Sequence, residues 1–100
     1  MSREIIFKRL ARIEFDEAIA WYEEREKRLG ARFEAEVNTT LERVRRNPEH
    51  FPKVTESVHK ARVHVFTDYT VFFAATENRI GVVSIFHGAR NPDELKRRLK

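Results

Sequence analysis

The fold is decided by two stretches in the last third of the chain, Phe66-Thr67-Asp68-Tyr69-Thr70-Val71-Phe72-Phe73 and Ile85-Phe86-His87-Gly88-Ala89-Arg90-Asn91-Pro92. Aromatic and β-branched residues dominate the first stretch and begin the second, which is typical of strands. Strand patterns lie at 59–66, 69–76 and 79–87. The short connections Thr67-Asp68 and Glu77-Asn78 predict hairpins, so the three strands should form an antiparallel meander.

The residues that flank this meander predict an N-terminal strand and three helices. Glu4-Ile5-Ile6-Phe7 is a short β-prone run. One apolar stripe with helical spacing (Ala11, Phe15, Ala18, Ile19, Tyr22) ends at Leu29-Gly30, and a second (Phe33, Val37, Leu41, Val44) ends at Asn47-Pro48. Their short connection predicts a helical hairpin. Asn91-Pro92 has the pattern of a helix start, and Leu95 and Leu99 should dock that last helix.

These elements predict an α+β fold in one domain, residues 1–100. An N-terminal strand and a helical hairpin would pack on a three- to four-stranded antiparallel sheet, followed by a short C-terminal helix. With two-residue turns, Arg62 faces Phe73 and Phe73 faces Val82. One sheet face then carries Val63, Val65, Phe72, Ala74, Val83 and Ile85, and we expect it to pack against the hairpin. The other face carries Arg62, His64, Phe66, Tyr69, Val71, Phe73, Val82, Ser84 and Phe86, a surface suited to a peptide or a nucleic acid.

Composition excludes several classes of function. The 100 residues include no cysteine, which excludes disulfides and thiol nucleophiles, and no apolar run is long enough to cross a membrane. The N-terminus lacks the apolar core of a signal peptide, so we expect a cytoplasmic protein. The four histidines are scattered, so no metal site and no cofactor is predicted. The net charge of +4 arises in the second half of the chain and favours an anionic partner.

His87 and Arg90 are the leading candidates for chemistry. His87 could act as an acid or base near neutral pH, or it could cap the strand end. Arg90 could bind phosphate or carboxylate, or it could pair with Asp93 or Glu94. Together with Arg62, these residues could support metal-independent acid/base transesterification of RNA.

Five short stretches in chain order carry a family resemblance. They are Glu17-Ala18-Ile19-Ala20-Trp21-Tyr22-Glu23, Leu29-Gly30-Ala31-Arg32-Phe33, Asn47-Pro48 with Phe51-Pro52, Phe66 to Phe73, and Phe86 to Pro92. In this order they resemble the RelE/ParE superfamily of bacterial toxins. The resemblance implies a type II toxin–antitoxin (plasmid stabilisation) system, in which an acidic, partly disordered antitoxin covers a small basic toxin.

The superfamily has two branches with different activities. The RelE-like branch cleaves mRNA on the ribosome with Arg/Lys residues and a C-terminal Tyr or His, whereas the ParE-like branch inhibits DNA gyrase. Leu95 lies about where the nuclease branch often has its Tyr, so we favour ParE-like gyrase inhibition. The alternatives are a RelE-like endoribonuclease, with Arg62, His87 and Arg90 as catalytic candidates, and a non-toxic degenerate binding module. The predicted binding residues are Arg62, His64, Phe66, Tyr69, His87 and Arg90.

Overall fold

A helical hairpin packs on one face of a four-stranded sheet, and a short third helix lies on the other, which confirms the predicted α+β class. The structure is a computed structural model that describes residues 3–99. In chain order the elements are β1 (Glu4–Phe7), α1 (Arg9–Arg25), α2 (Leu29–Arg46), β2 (His59–Arg62), β3 (Tyr69–Ala75), β4 (Arg79–His87) and α3 (Pro92–Arg98). A short 3-10 turn at Pro48–His50 follows α2.

The sheet has the strand order β1-β4-β3-β2. β2, β3 and β4 form the predicted antiparallel meander. β1 instead runs parallel to β4, with Glu4 opposite Arg79 and Phe7 opposite Val82. Parallel neighbours need a long connection, which the helical hairpin and the first two strands of the meander provide. The sheet of the described residues is therefore mixed, and its single parallel pair, β1 with β4, lies at one edge of the sheet.

The two long helices form where the apolar spacing predicts them. The buried residues of α1 are Ala11, Phe15 and Ala18, and those of α2 include Phe33, Val37, Leu41 and Val44. These residues share one core with Val71, Phe73, Ile80 and Val82 of the sheet. Burial of this apolar surface is the main force that holds the hairpin on the sheet.

The turn between α1 and α2 lies earlier than predicted. α1 ends at Arg25 and α2 begins at Leu29, so Gly30 lies in the first turn of α2 and does not terminate α1. The chain reverses at Arg28, whose φ of 75° is in the left-handed region. The Glu23 carboxylate accepts hydrogen bonds from the backbone N–H groups of Arg28 (2.9 Å) and Gly30 (3.0 Å). A side chain of α1 thus caps free amides at the start of α2.

The predicted β3–β4 hairpin is confirmed near its turn, where Phe73 lies opposite Val82. A β-bulge then shifts the register, so that Phe72 pairs with Ser84 and Tyr69 pairs with His87. The extra residue bends the strand and changes which side chains share a face. The bulge therefore brings His87 beside Tyr69 at the end of the sheet.

The predicted length and register of β2 are wrong. β2 spans His59–Arg62 and not 59–66, and Arg62 pairs with Thr70 instead of Phe73. The connection to β3 is an irregular segment, 63–68, rather than two residues. Val65 within it has a φ of 72°, a conformation that a β-branched residue rarely adopts. The segment closes through a hydrogen bond from the Tyr69 N–H to the Phe66 carbonyl oxygen, at 3.0 Å.

The predicted assignment of the two sheet faces is also wrong in most positions. Phe72 and Val83 were expected to face the hairpin, but they lie on the opposite side in a cluster with α3. Val71, Phe73 and Val82 face the hairpin instead. The apolar content of one face did not identify the hairpin side because α3 covers the other face. Leu95 and Leu99 pack against Val58, Phe72 and Phe86, as predicted for the docking of this helix.

We expect Gly30→Ala to lower the free energy of unfolding by about 1–3 kcal/mol, since overpacking at a helix contact forces the backbones apart. A Cβ at Gly30 would lie 2.6 Å from the Ile19 carbonyl oxygen. Gly81→Ala is the matched control, because its Cβ would meet nothing closer than the Ala74 carbonyl oxygen at 3.8 Å. Urea denaturation of both variants tests this; equal midpoints would contradict the close approach of the two helices.

Candidate functional site

A groove of about 850 Å³ runs between α1, the end of β4 and α3. Its walls combine apolar, acidic and basic side chains. The apolar ones are Leu10, Ile13, Ala18, Trp21, Tyr22, Tyr69 and Ile85; the acidic ones are Glu14, Glu17, Asp68 and Glu94; the basic ones are His87, Arg90, Arg97 and Arg98. A concave surface of this mixed character is suited to an amphipathic ligand.

The α1 wall carries large apolar side chains that are about half exposed in the described part of the chain. Leu10 is 51% exposed, Ile13 40% and Trp21 49%. The three residues follow one another at helical spacing, so they form a second apolar stripe beside the buried one. The guanidinium of Arg25 lies 3.9 Å from the centre of the Trp21 ring and extends this surface at one end. We call Leu10, Ile13 and Trp21 the α1 stripe.

The floor of the groove is organised by the Glu14 carboxylate. It accepts hydrogen bonds from the Ser84 hydroxyl (2.9 Å) and the Ile85 backbone N–H (3.1 Å). It also forms ion pairs with Arg98 at 2.7 Å and with Arg90. Arg98 in turn donates to the Val83 carbonyl oxygen at 2.7 Å. One side chain of α1 therefore joins β4, α3 and the segment that connects them.

The charges in this network stabilise one another. Burial alone would raise the pKa of Glu14, but hydrogen bonds from Arg98, Arg90 and Ser84 outweigh it, so the pKa is lowered from its ordinary value of 4.5. Burial would lower the pKa of Arg90, and its bonds to Glu14 and Glu94 raise it instead. Both groups are therefore ionised near neutral pH, and Arg90 is held between two carboxylates.

Tyr69 and His87 lie side by side at the end of the sheet. Their rings meet edge to face, with centroids 4.9 Å apart. The Nδ1 atom of His87 accepts a hydrogen bond from the Ala89 N–H at 3.0 Å, so the ring caps the turn that follows β4. Burial, with a smaller contribution from the nearby Tyr22, raises the pKa of Tyr69, and its hydroxyl is protonated near neutral pH.

The structure brings together only part of the predicted site. Tyr69, His87 and Arg90 line the groove, whereas Arg62, His64 and Phe66 do not. Arg62 and His64 are exposed on β2 and on the segment that follows it. The ring of Phe66 packs against those of Tyr22 and Phe33, with centroids 5.0 and 5.2 Å away, so it belongs to the hairpin core. The predicted sheet face that would carry Arg62, His64, Phe66 and Tyr69 together is not formed, because it depended on the wrong β2 register.

A model of the family described as "ParE toxin of type II toxin-antitoxin system, parDE" matches residues 5–92. The chain belongs to the ParE toxin family. This confirms the resemblance found in the sequence and its ParE-like branch.

A solved structure agrees with the family at the level of the fold. A chain from the structure titled "Chromosomal ParDE TA system from P. aeruginosa" matches with a TM-score of 0.72 and 10% sequence identity, over 85% of this chain and 95% of that one. No curated protein matches the sequence significantly. In residues 3–99, no helix is both long and apolar enough to cross a membrane, and no cluster of three or more His, Cys, Asp or Glu is arranged to hold a metal ion.

Two features of this ParE-family groove were not predicted from the sequence. Glu14 lies three residues after Ala11 and four before Ala18, on the buried side of α1. A carboxylate at such a position needs buried partners, and this was the signal that could have revealed it. The α1 stripe also had a signal, since Leu10, Ile13 and Trp21 are large apolar residues that the core stripe leaves out.

We expect the stability of the chain to depend on pH through Glu14. Because its folded-state pKa is lowered, its ionised form stabilises the fold above the ordinary value of 4.5, and this contribution disappears as the pH falls through the lower folded-state pKa. Glu14→Gln should cost about 2 kcal/mol near neutral pH, and less at acidic pH. The exposed Glu17→Gln is the control. Denaturant unfolding between about pH 6 and pH 3 tests this; a Glu14→Gln deficit that stays constant over this range contradicts it.

Proposed function

We propose that this ParE-family chain arrests bacterial growth by inhibiting DNA gyrase, and that it acts by binding and not by catalysis. The observation that carries the proposal is the environment of Arg90. Its guanidinium pairs with Glu14 and Glu94 and packs on the Phe86 ring at 4.5 Å. A phosphate group would have to displace two carboxylates to reach it. Gyrase inhibition is the activity that the resemblance implies for the ParE-like branch.

The alternative, RelE-like mRNA cleavage on the ribosome, has less support from the geometry. It needs a base, an acid and cations around one phosphate. Of its three candidates, Arg62 does not line the groove that holds His87 and Arg90. Leu95, which lies about where the nuclease branch often has its tyrosine, packs in the apolar cluster under α3. The raised pKa of Tyr69 makes its hydroxyl a poor proton donor, so it is a weak substitute.

We also propose that a cognate acidic antitoxin holds the chain inactive by covering the groove. The exposed α1 stripe is the kind of apolar surface that marks a protein interface. An amphipathic helix could place its apolar residues on the α1 stripe, as helices do in grooves of other proteins. Its acidic residues could pair with Arg97, which is exposed on the α3 side of the groove. The net charge of +4 favours such a partner at long range.

The same proposal implies a cellular location and a role. Gyrase and an antitoxin made with the toxin would both meet the chain in the cytoplasm. Plasmid stabilisation is the role that the resemblance implies for such a pair.

We expect His87→Ala to leave growth arrest largely intact, because His87 caps a turn through the Ala89 N–H and no reaction depends on it. Induction of this variant should still give an SOS response and trapped gyrase–DNA complexes. His64→Ala, outside the groove, is the control. Rapid translation arrest with codon-positioned mRNA cuts, abolished by His87→Ala, would support the nuclease instead. No growth defect on induction of the unmodified chain would contradict both and favour the non-toxic binding module.

We expect Ile13→Asp to weaken antitoxin binding by at least about tenfold, because a charge in the centre of the apolar contact would have to be desolvated. Val65→Asp is the matched control, since Val65 is 53% exposed but does not line the groove. Titration calorimetry with the purified antitoxin measures both. Equal affinities for the two variants would show that the antitoxin covers another surface.

A further inference from the structure

β1 is an edge strand of the sheet, and one of its two sides carries backbone groups that pair with no other described strand. The Glu4 N–H donates to the Asn78 carbonyl oxygen and the Lys8 N–H to the Val82 carbonyl oxygen, each at 2.9 Å. Every second residue of this strand therefore directs its backbone N–H and C=O groups toward β4. Ile5 and Phe7 consequently direct their backbone N–H and C=O groups away from the sheet. Within residues 3–99, no other strand pairs with this edge. It is the kind of edge to which a further strand can add.

The sequence of this edge is complementary to itself. It reads Glu4-Ile5-Ile6-Phe7-Lys8. If a second copy pairs antiparallel about a two-fold axis at Ile6, each Glu4 lies opposite the other copy's Lys8, and each Ile5 opposite the other copy's Phe7. The outward backbone groups of Ile5 and Phe7 then form hydrogen-bonded pairs, and Ile6 meets its own copy as a non-hydrogen-bonded pair. Such an interface is isologous, as most homodimer interfaces are.

The exposure and charge of these residues agree with that arrangement. Ile6 is 37% exposed, and Glu4 and Lys8 are exposed as well. Neither Glu4 nor Lys8 forms an ion pair with another described residue of its own chain. Edge strands are commonly protected by like charges that repel a second copy. Here the antiparallel arrangement places opposite charges against each other, so it favours a second copy.

We propose that two copies of this chain associate through the free edges of their β1 strands, and that the two sheets join into one continuous sheet. The partner at this edge is a second copy of the chain, because antiparallel pairing places Glu4 of each copy opposite Lys8 of the other. The contact is short, so it falls below the area of a stable interface and the dimer is weak and concentration-dependent. The proposal is independent of the target of the toxin.

The first test is a charge swap followed by sedimentation equilibrium of the full-length chain. Lys8→Glu places like charges opposite each other twice and should weaken the dimer by about tenfold. The double variant Glu4→Lys/Lys8→Glu restores opposite charges and should recover most of the affinity. Lys27→Glu, an exposed residue in the turn between α1 and α2, makes the same change of net charge and should have little effect. Circular dichroism checks that each variant is folded.

The second test uses the absence of cysteine from the chain. Across a non-hydrogen-bonded antiparallel pair the Cα atoms lie about 4.5 Å apart, within the range of a disulfide. Mild oxidation of Ile6→Cys should therefore give a covalent dimer that a reducing agent reverses. Glu4→Cys is the matched control on the same strand, since it would face Lys8 and not its own copy.

Three results would overturn the proposal. The first is a monomer at all accessible concentrations, together with equal cross-linking of Ile6→Cys and Glu4→Cys. The second is a dimer that Lys8→Glu leaves unchanged, because its interface would then lie elsewhere. The third is an uncross-linked Ile6→Cys variant that loses affinity for the antitoxin, which would show that an antitoxin strand occupies this edge.

Discussion

The groove depends on one largely buried carboxylate, that of Glu14. Glu14 is ionised in a place where an unpaired charge would be strongly unfavourable, so Arg90 and Arg98 must both reach it. Because Arg90 lies just before α3 and Arg98 is its last residue, the charge on α1 fixes the position of that helix. The short α3 has no fully buried residue of its own. Its place on the sheet therefore depends on Glu14 together with Leu95 and Leu99.

The sheet has two apolar faces, and a helical layer packs on each of them. The groove lies at one end of the sheet, between these two layers. The long helices of the hairpin share a large core with one face, and the shorter α3 packs against a much smaller apolar cluster on the other. The two helical layers leave a gap where β4 ends, and the groove occupies it. The groove is thus a consequence of unequal coverage, and its walls are elements that the core and the Glu14 network already hold in place.

The features that could be predicted from the sequence are those that depend on residues close to one another along the chain. Both long helices, the Asn91 cap and the turn between β3 and β4 follow from local spacing and turn chemistry, and they are confirmed. The site was only partly predictable, because it depends on contacts between distant residues. Glu14 binds groups that follow it by 70 residues or more. The placement of Arg62 failed because the irregular segment 63–68, which contains no Gly or Pro, changed the register of β2 against β3.

The parallel pairing of β1 has a consequence for biosynthesis. Of the described elements β1 is translated before all others, but its neighbour in the sheet is β4, which only α3 follows. The helical hairpin can form early from local contacts, whereas the sheet and the groove cannot be completed until β4 and α3 have emerged. On the ribosome the groove therefore forms only after the helical hairpin and the first three strands have been made. The strand order thus separates early local folding from the late completion of the groove.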